Sequence, residues 1–337
     1  MIFLSLIVVL ALVHWLNLAG ALHFDGWFRL MVKRLQQIPG LSSVAFLPMA
    51  LALLIPLIVL LVIFVAVHEF TNSIAWMFFV YVPVLLYSLG RGNFVAEVNE
   101  YLALSQRSDS VAASKFIDDL RGNAEADPQN ADVGDWQALN TQALKVISYR
   151  GFERTFAVLF WFFIAGPFGA LLYRLSVMYR EISAPDSEDA RLAAKWLWLL
   201  EMPAVRLMGI TWAMVGNFDA CPLRQSLLDT QSSSMRILNN CLRGALGAST
   251  DCGAPEVAAA SKPTAAATSV QTESVEEAIA EPEFAEDLDV IEDLTGVVIT
   301  THSEPAYSLA LVKSSLPLYT RSLLFWVCAI AFATLVV

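Results

Sequence analysis

VAFLPMALALLIPLIVLLVIFVAV, residues 44–67, runs for 24 residues without a charge. At about 1.5 Å rise per residue a helix of that length covers ~36 Å, more than the ~30 Å hydrocarbon core of a bilayer. The stretch predicts a transmembrane helix. Pro48 and Pro56 do not oppose it, because neighbours in a bundle re-satisfy the carbonyls that proline frees. No alternating strand pattern competes anywhere along the chain. The fold class that follows is all-α: a polytopic transmembrane helical protein with a small cytoplasmic helical region and a disordered acidic linker.

Working outward, residues 1–22 are apolar except for Ser5, His14 and Asn17 and lack a basic start. They read as an uncleaved first span rather than a signal peptide. Residues 73–89 and 155–173 make a third and a fourth span. Residues 196–216 are apolar but carry Glu201 and Arg206, and 316–337 form a terminal anchor, giving five or six spans in all. The chain is 57% hydrophobic, above the roughly 45–50% of soluble domains. The expected organisation is 1–89, membrane helices with an amphipathic segment; 90–154, a cytoplasmic helical region; 155–248, membrane helices around a Gly-Pro break; 249–310, linker; and 311–337, anchor.

The net charge of −11 is local. Residues 251–310 hold thirteen acids and one base, Lys262, which leaves 20 bases against 19 acids elsewhere. This Ala/Glu/Pro-rich stretch has too few large apolar residues to offset the entropy of ordering. Arg29, Lys33 and Arg34 lie between the first two spans, and no Lys or Arg lies near His68-Glu69. By the positive-inside rule the first connection is cytoplasmic and the second outside. Trp27, Phe28, Leu30, Met31 and Leu35 share that first connection, which suits an amphipathic helix on the inner membrane face. Within 90–154, Phe94, Val98, Tyr101 and Leu102 form one helical stripe, and Trp136, Leu139, Ala143, Leu144 and Ile147 form another that runs on into span four. Asp109 is placed to cap the helix SVAASKFIDDLR, and Gly122 suits its C′ position.

Motif chemistry is sparse. Cys221, Cys241, Cys252 and Cys328 form no C-x-x-C pair, so zinc and iron–sulfur sites are not expected; Cys241 and Cys252 are either bonded or free thiols. There is no H-E-x-x-H, no P-loop and no G-x-S-x-G, and no basic stripe for nucleic acid. No catalytic residue, metal or cofactor is assigned. The unusual feature is FFIAGPFGALLYRL, residues 162–175, where Gly166-Pro167-Phe168-Gly169 interrupts an apolar span. Pro167 removes a backbone donor, and the glycines permit close approach. The break is either a packing kink or a broken helix beside a polar pocket. If span four crosses outward, Arg174, Arg180, Arg191 and Lys195 fall outside, against the charge rule. Either the rule fails in this half or Gly166-Pro167 bends a helix that does not cross simply.

A charge at bilayer depth costs at least about 2.5–3.5 kcal/mol and should pair or line a wet cavity. Glu153, Arg154, Arg174, Glu201 and Arg206, with Gly166 and Pro167, are therefore the candidate site. They serve either as a pocket for an anion, such as a phosphate or a peptidoglycan fragment, or as ion pairs that fix helix packing.

GPFGALLYRL resembles the G-G-P-x-G-A-L-x-Y-K segment of the CobD/CbiB cobalamin-biosynthesis membrane proteins and of the AmpE proteins. YLALSQRSDSVAASKFIDDL (101–120), RLAAKWLWLLEMPAVRLMGITWAMVG (191–216) and His23 resemble further elements in the same order, so the likeness spans most of residues 1–220. The cobalamin enzymes carry E-N-x-x-D before the Gly-Pro segment and D-S-M after it, acids suited to holding Mg-ATP. Here the first stretch reads YRGFERTFAVLF, with Glu153 but neither the Asn nor the Asp, and LSVMYRE lacks the aspartate. Pro203 and Arg206 are separated by two residues rather than one, and Glu201 stands where Asp or Asn is usual. The resemblance thus implies an AmpE-like modulator of β-lactamase induction in the bacterial inner membrane. Its implied partners are the lipid bilayer, an anionic small ligand, and cell-wall recycling or β-lactamase regulatory proteins. The alternative it implies is an ATP-dependent amide synthase of the cobalamin type.

Overall fold

The computed structural model describes residues 2–16, 25–38, 46–71, 77–89, 94–124, 132, 134–184, 187–218, 221, 232–248 and 304–336. Among them every regular element is helical. The helices are α1 (Ile2–Leu16), α2 (Gly26–Gln36), α3 (Phe46–Thr71), α4 (Phe78–Ser88), α5 (Phe94–Gln106), α6 (Ser110–Arg121), α7 (Trp136–Gly151), α8 (Ala157–Ile182), α9 (Glu188–Val215), α10 (Ser234–Ala245) and α11 (Glu304–Val336). The expected linker up to residue 303 and the Cys241–Cys252 pairing lie outside the described residues. Helix α11 begins at Glu304, within the stretch assigned to the linker. Cys221 and Cys241 are buried thiols.

Three segments among the described residues are long and apolar enough to cross a membrane: Phe46–Glu69, Trp136–Ile182 and Ala306–Thr334. Phe3–Val13 and Phe78–Ser88 are shorter apolar helices. Helix α3 exposes Leu54, Ile55, Ile58, Val59, Leu61, Val62, Ile63 and Val65. A helix apolar on nearly every side is stable only when lipid or protein surrounds it. Helix α9 is long enough to span but carries six charged residues, from Glu188 to Arg206, and is not in that set.

The segment Trp136–Ile182 is not one rod. Ala165 has φ −122°, ψ 16°, and Gly166 has φ 61°, ψ −147°, a pair of angles essentially closed to any residue with a Cβ. Arg150 and Glu181 are 31 residues apart, which a straight helix would make ~46 Å, yet their side chains meet at 2.9 Å. The chain therefore turns back at Gly166-Pro167 to form a helical hairpin. Pro167 opens the returning arm, where its missing N–H would have had no intrahelical partner. Gly169 is required by the same turn, because a Cβ there would strike the Trp161 carbonyl of the outgoing arm. The two glycines serve the reversal of one chain rather than the approach of a second helix. The break is therefore a reversal of the helix, and its tip does not line the ionic cavity described below.

Neighbours hold the hairpin. Tyr81 of α4 packs edge-on against Phe162 at 6.0 Å between centroids, and Phe64 of α3 against Phe168 at 5.6 Å. Helix α11 lies along α7 and the outgoing arm. Asn140 Nδ2 donates to Ser308 Oγ at 3.0 Å, Tyr319 OH to Thr155 Oγ1 at 2.9 Å, and Trp326 Nε1 to Thr211 Oγ1 of α9 at 3.1 Å. The α5 stripe is buried at Phe94, Val98 and Tyr101. Tyr101 OH donates to Asn140 Oδ1 at 2.7 Å, and burial pushes its phenol pKa up, so it stays a donor. Asp109 caps α6 by accepting from Ala112 N, and Gly122 ends it at φ 46°.

Gly151 marks a close helix contact. Phe94 and Tyr319 stack over it with centroids 3.9 Å apart, and an added Cβ would come within 2.6 Å of Phe94. Gly151→Ala should destabilise the protein by about 1–3 kcal/mol, the usual cost of overpacking. Thermal unfolding in detergent measures it, and an unchanged midpoint would show that the stack is loose.

Candidate functional site

One turn of π-helix, Phe152–Phe156, joins α7 to α8. Such turns rotate the residues that follow and recur at functional sites. Here the turn lies beside Arg150, at the level where the returning arm ends. Glu153 is 1% exposed and is gripped from both sides. Arg150 Nη1 donates to Oε2 at 2.6 Å and Arg180 Nη2 to Oε1 at 2.7 Å. Arg150 also donates to the Leu120 carbonyl at 2.7 Å, to the Arg121 carbonyl at 2.7 Å and to Glu181 Oε1 at 2.9 Å. The end of α6 is thereby tied to both arms. Asn123 Nδ2 completes the tie by reaching the carbonyls of Arg180, Glu181 and Ser183 at 3.1–3.4 Å, where α8 runs out of amide donors.

A second polar layer sits behind the first. Arg180 Nη1 donates to Tyr149 OH at 2.8 Å, with its guanidinium 5.9 Å from that ring's centre. Tyr149 OH and Tyr173 OH then donate to Glu201 Oε1 at 2.8 and 3.1 Å. Arg154 pairs with Glu97 of α5. Arg174 stands 3.6 Å from Asp25, just before α2, and its Nε is buried without a hydrogen-bond partner among the described residues.

A cavity of about 240 Å³ opens between the arms of the hairpin. Arg150, Glu153 and Arg154 line it from the outgoing side and Arg174 and Glu181 from the returning side. Asp25 and Arg29 close it from α2, and Asp119 from α6. The structure thus brings Glu153, Arg154 and Arg174 to one cavity. Glu201 lies beyond the Tyr149–Arg180 wall and lines a different cavity with Lys195 and Ser234. Arg206 lines neither of these two cavities and donates to the Met202 carbonyl at 3.3 Å. Five residues along a helix is about 140° around its axis, so Glu201 and Arg206 face different ways. Gly166 and Pro167 form the hairpin tip and do not line the ionic cavity.

The sequence reading did not place Arg150, Arg180 and Glu181 at the centre, nor the two tyrosines. A signal existed. Arg150 precedes Gly166 by 16 residues and Glu181 follows it by 15; Glu153 and Arg180 stand 13 and 14 away. Opposite charges mirrored about a helix breaker meet if the chain folds back there. Chemically, both oxygens of Glu153 accept from guanidinium groups, so its carboxylate ties the two arms together at the hairpin base. Arg29, Arg154 and Arg174 also line the cavity; Arg154 is paired with Glu97 and Arg174 stands by Asp25, while Arg29 makes no ion pair among the described residues.

The class is now defined: an all-α membrane protein built around a helical hairpin whose base is locked by a buried ionic cluster. The family model described as regulatory signalling modulator protein AmpE matches residues 1–272. The chain belongs to the AmpE family. No curated protein and no solved structure matches it.

Proposed function

We propose that the chain is a non-catalytic, multi-pass modulator of the bacterial inner membrane that adjusts β-lactamase induction. Its input is an anionic ligand of cell-wall origin, or a regulatory protein, received at the cavity between the hairpin arms. The regulatory half of this reading rests on the family. The observation that carries the rest is the state of Glu153: the one acid kept from the resembling ligase pattern is spent on Arg150 and Arg180. Metal–nucleotide chemistry needs open carboxylate oxygens. Arg174, with a spare buried N–H, and Arg29 suit an anion instead.

The hairpin supports a topology. Measured from the ionic cluster, each arm is about 20 Å long, short of a ~30 Å core. An element that enters and returns keeps Arg191 and Lys195 on the side of residues 90–135, in accord with the positive-inside rule.

The test is deletion of the gene followed by β-lactamase induction with a β-lactam. A changed induction curve is expected, and Arg29→Gln should reproduce part of the change. An unaltered curve would remove the proposal. Rescue by this chain of a strain lacking cobinamide synthase would replace it with the amide-synthase reading.

A further inference from the structure

The ionic cavity does not stand alone. A groove of about 530 Å³ runs beside it, lined by Trp27 and Met31 of α2, Ile55, Val59, Leu60 and Ile63 of α3, Tyr87 of α4 and Leu171 of α8, among others. The two spaces share two walls. On α8, Leu171 of the groove is one turn before Arg174 of the cavity. On α2, Trp27 and Met31 line the groove while Arg29, two residues from each and on another side of the helix, lines the cavity. Tyr87 of the groove touches Met178 of the cavity directly, its OH 3.7 Å from Sδ. Polar donors thus meet an apolar slot across a single side-chain contact.

We infer that this paired site holds a phosphate-bearing membrane lipid, its phosphate on Arg29 and Arg174 and an acyl chain in the groove between α2, α3 and α8. The inference rests on the cavity being the anion site proposed above and narrows the anion to one carried on a lipid. Three observations converge on that occupant. The groove walls belong to α3, whose other faces already expose leucine, isoleucine and valine as a lipid-facing helix does. Arg174 is 11% exposed, is held only loosely by Asp25, and keeps a buried N–H unused. Arg29 makes no ion pair among the described residues, and its helix turns Trp27 and Leu30 outward, 43% and 61% exposed. An outward indole and a guanidinium on one short helix suit the headgroup level of a bilayer. A small soluble anion would use the cavity and leave the groove empty. A lipid fills both.

The experiment is native mass spectrometry of the full chain, delipidated in detergent and titrated with phosphatidylglycerol or with glycerol 3-phosphate. Phosphatidylglycerol is expected to bind at least tenfold more tightly than glycerol 3-phosphate. Arg29→Gln, at an exposed position that should not disturb folding, is expected to weaken it by about tenfold, the scale of one charge-assisted hydrogen bond. Arg174→Gln should do the same, with Arg174→Lys recovering part. Leu171→Trp, which fills the groove, should weaken the lipid and leave glycerol 3-phosphate unchanged. Equal binding of the two probes, with both weakened by Arg29→Gln, keeps the anion site and overturns the lipid. Lipid binding indifferent to Arg29, Arg174 and Leu171 is nonspecific and overturns the inference. Binding of neither probe overturns the anion site as well.

Discussion

Glu153→Gln should lower the thermal unfolding midpoint more than any other single substitution in the ionic cluster. The carboxylate sits between two guanidinium groups at 2.6 and 2.7 Å and is almost wholly enclosed. An amide of the same shape keeps one acceptor but loses the charge, leaving Arg150 and Arg180 to share the single, partly exposed carboxylate of Glu181. Removing one partner of a buried pair costs about 3–5 kcal/mol, because an uncompensated charge remains. The neighbours provide contrast. Arg154 and Glu97 are partly exposed, 22% and 14%, so water screens the charge left by Arg154→Gln and the loss is smaller. Glu201→Gln still offers an oxygen to Tyr149 and Tyr173 and should be tolerated better. A second change separates electrostatics from packing: Arg180→Met in the Glu153→Gln background should recover part of the loss, since it removes the stranded charge. Unfolding followed by circular dichroism in detergent reads all four. Wild-type stability for Glu153→Gln would show that the cluster is no lock, and would return Glu153 to the list of groups available for chemistry.

What the sequence makes legible here is local. The caps at Asp109 and Gly122, the stripe Phe94–Val98–Tyr101 and the passage of α7 into an apolar segment all follow from side chains within a turn or two of one another. The Gly-Pro break is legible for the same reason. The sense of the break is not, because hydrophobic periodicity is identical whether a helix goes on across the bilayer or comes back. That ambiguity spread to the site. Read as a through-going span, 155–173 sends Arg180 away from Glu153 and makes Arg206 a plausible partner for Glu201. Read as a hairpin, it puts Arg180 on Glu153 and leaves Glu201 to two tyrosines. Tyr149 and Tyr173 carried no charge to draw attention, and their role depends on a fold-back that separations of 52 and 28 residues do not advertise. Asp25 and Arg174 are farther apart still, and only the seating of α2 against α8 brings them together.

The hairpin itself yields the second large effect. In a background with the native cysteines replaced, single cysteines at Asp135 and at Ser187 should react with a membrane-impermeant maleimide from the same side of the membrane. A straight helix from Trp136 to Ile182 would put them on opposite sides. Labelling from opposite sides would therefore remove the hairpin, and with it the base on which the ionic cluster and its cavity stand. The geometry of the tip predicts which residue controls this. Gly166→Val places a β-branched residue at φ 61°, ψ −147°, a conformation that costs on the order of 1–3 kcal/mol outside glycine, although nothing crowds the position, Tyr81 being 3.9 Å away. The penalty is thus backbone strain alone and should be nearly as large for Gly166→Ala. Pro167→Ala should do little, because the first residue of the returning arm needs no amide donor. Loss at Gly166 with tolerance at Pro167 is the signature of a turn. In a merely kinked through-going helix the order reverses: the proline makes the bend, and its replacement straightens the rod. The two substitutions read together distinguish the architectures without any label, through stability alone.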